Sequence, residues 1–151
     1  MNEKSLRAAL QDLPLGELRY YASIRSTNDE ALAWATEGAT DLSLVIADEQ
    51  TAGRGRAGRK WYTPAGAALA FSLILRPSPA EQTHLSRIVG LAAVSLAFSL
   101  EQSGLHPRIK WPNDILLQDR KVAGILVETI WTGEQADCVV IGIGVNVLRI
   151  S

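Results

Sequence analysis

The stretch that decides the architecture runs from Val122 to Val145. It opens with Val122-Ala123-Gly124-Ile125-Leu126-Val127-Glu128-Thr129-Ile130, breaks at Thr132-Gly133-Glu134-Gln135, and resumes with Cys138-Val139-Val140-Ile141-Gly142-Ile143-Gly144-Val145. Two strand-length runs rich in Val and Ile, joined by a short glycine-containing break, predict a β-hairpin. In the second run Gly142 and Gly144 fall on one face, with Val139, Ile141, Ile143 and Val145 on the other. Paired glycines on one face admit a second backbone or a flat ligand at close range. Asn146 follows directly.

Upstream of the hairpin the pattern alternates between strands and helices. Asp119-Arg120-Lys121 reads as a tight turn, and Arg108 to Trp111 as a further strand. Ile88 to Leu100 predicts a largely buried helix closed near Gly104. Leu69, Phe71, Leu73 and Leu75 alternate with Ala68, Ala70, Ser72 and Ile74, a strand with one bulky and one slim face that Pro77 and Pro79 end. Leu42 to Ala47 reads as a buried strand. Thr27-Asn28-Asp29-Glu30 matches a capping box, with a helix to about Thr36 that places Ala31, Trp34 and Ala35 on one side and stops at Gly38. Leu18 to Ala22 and Leu6 to Leu10 complete the series as a short strand and a short helix. The prediction is one α+β domain over residues 1–151, a mixed sheet flanked by helices.

Composition narrows the function. Fifteen basic and sixteen acidic side chains nearly cancel, so no global field points to DNA or a membrane surface. The one cysteine, Cys138, forbids an intrachain disulfide and fits a reducing cytoplasm. The polar start, Met1 to Ser5, does not resemble a signal peptide, and the apolar stretches read as strand-length or amphipathic rather than membrane-spanning. With two distant histidines, His84 and His106, no metal-ligand set is legible, and no local motif suggests a serine triad.

Chemistry concentrates in Gly53-Arg54-Gly55-Arg56-Ala57-Gly58-Arg59-Lys60. The three glycines spell a dinucleotide-binding fingerprint, but Trp61-Tyr62-Thr63-Pro64-Ala65-Gly66 follows where a helix would be required. That reading is rejected. A loop that can fold around an anion remains, glycine supplying freedom and arginine a planar fork; a solvated surface loop is the plainer alternative. In Lys110-Trp111-Pro112-Asn113-Asp114, the proline favours an extended Trp111 and Asn113-Asp114 a turn. Lys121, at a strand mouth, is either a pocket cation or a hairpin boundary.

Taken together, Ser26-Thr27-Asn28, Gln50 to Trp61, Lys110 to Asp114, Arg120 to Glu128 and Gly142 to Asn146 resemble, in this order, the motifs of biotin protein ligases. The resemblance covers about residues 20–147. It implies a fold shared with lipoate ligases and class II aminoacyl-tRNA synthetases. It implies biotin and ATP as substrates, with magnesium, a biotin carboxyl carrier protein as acceptor, and no specific DNA binding. A homodimer is compatible with it. By resemblance, Ser26, Thr27, Asn28 and Gln50 line the biotin site with Gly53, Arg54, Gly55, Arg56 and Lys121. Arg54, Arg56 and Lys121 are the catalytic cations, while Trp61, Asn113, Asp114 and Asn146 lie on the nucleotide side.

Too few residues precede these motifs for the helix-turn-helix domain of some family members. Leu148-Arg149-Ile150-Ser151 does not resemble the family's continuation, so the C-terminal part and its small β-barrel are expected to be missing. A lipoate ligase-type acyl transferase, and a non-catalytic fragment that binds biotin or carrier, are the competing readings. A nucleic-acid binder suits the balanced charge poorly.

Overall fold

The computed structural model describes residues 1–148. The expectation attached to Leu148–Ser151 falls, from Arg149 on, outside the described residues. The central hairpin is β6 (Arg120–Thr132) and β7 (Gln135–Asn146), in one register from Ala123↔Val145 to Ile130↔Cys138 and shifted by a bulge before Trp131↔Ala136 and Thr132↔Gln135. Its turn residue Gly133 has φ +62°, a conformation that suits glycine. The slim-faced strand β3 (Ala68–Leu75) lies antiparallel to β7, and β2 (Leu44–Ala47) antiparallel to β3. A parallel edge strand, β1 (Leu18–Tyr21), makes the sheet mixed.

On the far side β5 (Asp114–Leu117) and β4 (Arg108–Lys110) complete seven strands in the order β1-β2-β3-β7-β6-β5-β4. β5 was not expected. The turn predicted at Asp119-Arg120-Lys121 is centred earlier, on Gln118 and Asp119, both with positive φ, and Lys121 already belongs to β6. Such a two-residue turn forces a partner strand onto β6, and Asp114–Leu117 fills that place. Likewise Asn113 precedes β5 and Asp114 is its first residue.

Helix α1 (Glu3–Leu10) lies at the surface, and the two larger helices cover opposite faces of the sheet. Helix α2 (Thr27–Thr36) packs Ala31, Trp34 and Ala35 against Val45, Ile74, Cys138 and Val140. Full burial of a side chain such as Ile74 contributes about 1.5–3 kcal/mol. Arg76 closes the C-terminal end of α2, donating from Nη2 to the carbonyls of Ala35 (2.7 Å) and Ala39 (2.8 Å). The capping box is displaced by one residue. Ser26 is the N-cap, its hydroxyl accepting from the Asp29 amide, while Glu30 bonds to Arg19 and Tyr21 instead of returning to Thr27. The Thr27 hydroxyl is thereby free for other work.

On the opposite face, α3 (Ile88–Gln102) lays Ala92, Ala93 and Ala97 on Ile115, Ala123, Ile125 and Ile141. It is less buried than its sequence predicts: Leu91, Val94 and Phe98 are 66%, 58% and 59% exposed. A helix apolar all round hides which face docks, and here the small alanines, which allow close approach, meet the sheet. Gln82–Gln102 is also long and apolar enough to cross a membrane, contrary to the reading of the sequence, although its alanine face packs on the sheet.

Candidate active site at the N-terminus of α2

The candidate site side chains collect where the start of α2 meets the slim face of β3 and the glycine face of β7. Ser26, Thr27, Asn28 and Gln50 are all buried there, with Ser72 of β3 behind them. Gln50 Oε1 accepts from the Thr27 amide (2.8 Å) and hydroxyl (3.1 Å), and its Nε2 donates to Thr63 Oγ1 (3.0 Å). Ser72 Oγ lies 2.9 Å from Thr27 Oγ1 and 2.5 Å from Asn28 Oδ1. Asn28 Nδ2 then donates to Glu128 Oε1 (2.9 Å) and to the Leu126 carbonyl (3.3 Å). A continuous polar row thus crosses an apolar sheet face, every member partnered as burial requires.

The row ends on Arg54. Its guanidinium donates to Glu128 from Nη1 (3.1 Å) and Nη2 (2.7 Å), and to Asp29 from Nε (3.1 Å) and Nη2 (2.7 Å). Hydrogen bonds to Glu128 raise the Arg54 pKa, and those to Asp29 add to the shift despite partial burial. Burial alone would push the Glu128 carboxyl up, but the bonds from Arg54 and Asn28 outweigh it and hold the group below the usual carboxylate range. Arg54 is a charge already matched by two carboxylates.

Glycines set the other wall. A Cβ at Gly142 would stand 2.1 Å from Asn28 Oδ1, and one at Gly144 would stand 2.2 Å from the Trp61 indole nitrogen. The close approach expected over these glycines is therefore made by two side chains of the chain itself, not by a second backbone. The buried Trp61 N–H finds no acceptor among the described residues. Lys121 Nζ lies 5.2 Å from the Trp61 ring centroid and 2.9 Å from Asp114 Oδ1. Trp61 separates two recesses. One, of about 40 Å³, is lined by Ser26, Thr27, Asn28, Gln50, Gly142 and Gly144 among others. The second, of about 280 Å³, is lined by Arg59, Lys60, Asp114 and neighbours. Arg56, Trp61, Asn113 and Lys121 border both.

Among the sequence-selected residues, Ser26, Thr27, Asn28, Gln50, Arg54, Gly55, Arg56, Trp61, Asn113 and Lys121 line the narrower recess. Arg56 Nη1 donates to Asn113 Oδ1 (3.1 Å), which ties the arginine loop to the Trp-Pro-Asn-Asp segment. Gly53 stands behind, where a Cβ would meet the Trp61 carbonyl at 2.4 Å and Gln50 Nε2 at 2.7 Å. Asn146 is not brought in. It borders a separate hollow of about 790 Å³ with Leu100, Leu117, Val145 and Lys121. The loop carries only a 3₁₀ turn at Arg56–Gly58, without the helix a dinucleotide fingerprint needs. Ser72, Asp29 and Glu128 were missed as site residues. A lone hydroxyl on the buried face of β3 and a lone carboxylate within apolar β6 were the available signals.

The family model described as the biotin/lipoate A/B protein ligase family matches residues 20–146. The chain belongs to this family. Among biotin/lipoate ligase-family relatives, the bifunctional ligase/repressor BirA of Bacillus subtilis is 39% identical over 150 residues, 97% of this chain and 46% of that protein. The biotin–[acetyl-CoA-carboxylase] ligase of Paracoccus denitrificans is 44% identical over 123 residues, 80% of this chain and 50% of that protein. The biotin protein ligase of Aquifex aeolicus, solved in complex with biotin and ATP, superposes with a TM-score of 0.74 at 32% identity. It matches 89% of this chain and 54% of that one. The chain spans about half the length of these family members.

Proposed function

We propose that the chain carries the substrate sites of a biotin protein ligase, joining biotin to ATP as biotinyl-AMP and passing biotin to a lysine of a biotin carboxyl carrier protein. The observation that carries this reading is the pair of recesses sharing Arg56, Trp61, Asn113 and Lys121. One is floored by neutral polar groups suited to the ureido ring of biotin. The other is rich in cations suited to phosphates. Two reacting anions would meet at their common border.

In the first step the biotin carboxylate attacks the α-phosphorus of ATP and pyrophosphate departs. Two anions repel before they bond, so cations must hold them in line and stabilise charge at the reacting phosphorus. Lys121 and Arg56 are placed for that work. Arg54, held by Asp29 and Glu128, instead anchors the loop beside the ring. In the second step the neutral amine of the carrier lysine attacks the acyl carbonyl and AMP leaves.

Magnesium fits as a companion of the triphosphate. One carboxylate, Asp114, lines the cationic recess, and among the described residues no cluster of three His, Cys, Asp or Glu could hold a metal. Magnesium commonly binds through one or two carboxylates plus substrate phosphates.

About 40 Å³ is too little for a bicyclic ligand, since ligand pockets run to roughly 300–1,000 Å³. Biotin therefore enters by displacing Trp61 from Gly144 and moving the 53–60 loop. A cytoplasmic location, where ATP and carrier are available, and the absence of a DNA target belong to the same proposal. The test is incubation with biotin, ATP and a carrier domain. A single biotin mass on the acceptor lysine, dependent on ATP, is expected, whereas an unmodified carrier counts against the transfer step.

A further inference from the structure

We infer that Ser72, which does not line the cleft, fixes the hydrogen-bond polarity of its floor, so that Thr27 accepts an N–H from a bound ring and Ser26 donates to the adjacent carbonyl. This deepens the biotin reading, resting on it for the ligand's identity but not for the polarity.

Counting protons decides the polarity. Gln50 is oriented by the Thr27 amide at its Oε1 (2.8 Å) and by Thr63 Oγ1 at its Nε2 (3.0 Å). Asn28 is oriented by Glu128 Oε1 (2.9 Å) and the Leu126 carbonyl (3.3 Å) at its Nδ2. Each therefore turns its carbonyl oxygen, an acceptor only, toward the space between them. Two hydroxyls fill that space, giving Gln50 Oε1 to Thr27 Oγ1 at 3.1 Å, Thr27 Oγ1 to Ser72 Oγ at 2.9 Å, and Ser72 Oγ to Asn28 Oδ1 at 2.5 Å. Three contacts share two protons. Ser72 is 0%, Thr27 4%, Asn28 5% and Gln50 8% exposed, so bulk water does not relieve the shortage.

If Thr27 donated outward, two of the three contacts would set lone pair against lone pair. Both protons therefore stay within the row, and Thr27 offers the cleft an acceptor. Ser26 behaves oppositely. Its Oγ accepts from the Asp29 amide (3.3 Å), and its own proton has no acceptor among the described residues. Adjacent residues thus present a donor and then an acceptor, the complement of an N–H beside a C=O. A cyclic urea or an amide carries that edge; a carbonate or an ester does not. Removing the Ser72 hydroxyl leaves Thr27 with Gln50 alone, and the Thr27 amide still serves that oxygen. Thr27 is then able to donate outward, and the preference fades.

The test uses three rings of one shape: 2-imidazolidinone with two N–H groups, 2-oxazolidinone with one, and ethylene carbonate with none. Each is titrated by NMR into the parent chain, Ser72→Ala and Ser72→Thr, with circular dichroism confirming the fold. The parent is expected to prefer the urea over the carbonate by about tenfold, as the lost N–H to Thr27 hydrogen bond and the lone-pair contact that replaces it imply. Ser72→Ala is expected to cut that preference to about twofold, and Ser72→Thr, which keeps the hydroxyl, to restore it. If Ser72→Ala does not fold, Ser72→Cys, with a weak donor of similar size, is expected to show the same loss. Equal binding of the three rings by the parent, no binding of any, or an undiminished preference in a folded Ser72→Ala or Ser72→Cys overturns the inference. Biotin calorimetry alongside separates the two claims. Rings discriminated without biotin binding would remove the biotin reading and keep this one; biotin bound without discrimination would do the reverse.

Discussion

Lys121 stands where the two recesses meet, 2.9 Å from Asp114 and over the Trp61 ring. Its charge is expected to act mainly on rate, because an interaction that strengthens in the transition state is lost from the rate and not from ground-state binding. Lys121→Ala should slow adenylate formation by about a hundred- to a thousandfold, roughly 3–4 kcal/mol. Biotin affinity measured by calorimetry should survive, and Lys121→Arg should rescue only in part, since a planar fork does not replace a compact ammonium. A parent rate in Lys121→Ala would return this residue to a hairpin boundary. Gly144 offers a purely steric test. Its missing Cβ would stand 2.2 Å from the Trp61 nitrogen, so Gly144→Ala must expel the indole. A stability loss of about 1–3 kcal/mol is expected in denaturant melts, with a red-shifted tryptophan emission; unchanged emission would show that Trp61 does not rest there.

Among the elements, the Gly53 to Lys60 loop is the one with work beyond architecture. Arg54 anchors it on Asp29 and Glu128, and Arg56 ties it to Asn113. Arg56→Gly cuts the second tie while removing little of the core, so retention of an adenylate should suffer more than folding. Released biotinyl-AMP would then label bystander proteins, which mass spectrometry of a mixed protein pool detects. In the parent, hydrogen exchange across 53–60 should slow when biotinyl-AMP is added, and identical exchange would deny the loop a closing role.

At this scale the sequence was legible where periodicity is strong. The β6–β7 hairpin, the two-faced β3 strand and the extent of α2 all follow from alternation and turn residues. β5 escaped because Asp114–Leu117 is four residues long, and its existence depends on the turn at Gln118-Asp119. Burial of α3 was overstated because a helix apolar on every side carries no sign of which face docks. In the site, most residues chosen from the motifs were found, whereas Ser72, outside every motif, and Glu128, the last residue of the Arg120 to Glu128 motif, were given no role. Each is one polar group in an apolar strand, and its meaning depends on Asn28, distant in sequence. The cap moved from Thr27 to Ser26 because Gln50, more than twenty positions away, takes the Thr27 amide. Local pattern cannot register such competition.

Over the whole molecule, one mixed sheet separates two kinds of surface. The face under α2 carries the polar row and the glycine wall; the face under α3 carries the alanine seam and an apolar exterior. The candidate site lies on the first face, which brings residues from Ser26 to Gly144 into one place. That convergence is the ground for proposing a biotin-activating site in a chain about half as long as its family relatives. The most direct measurement is to incubate the purified chain with biotin and ATP labelled at the α-phosphate, and to separate the products. Labelled biotinyl-AMP, absent without biotin and sharply reduced in Lys121→Ala, is the expected result. A folded chain that binds biotin and ATP but forms no biotinyl-AMP would contradict it.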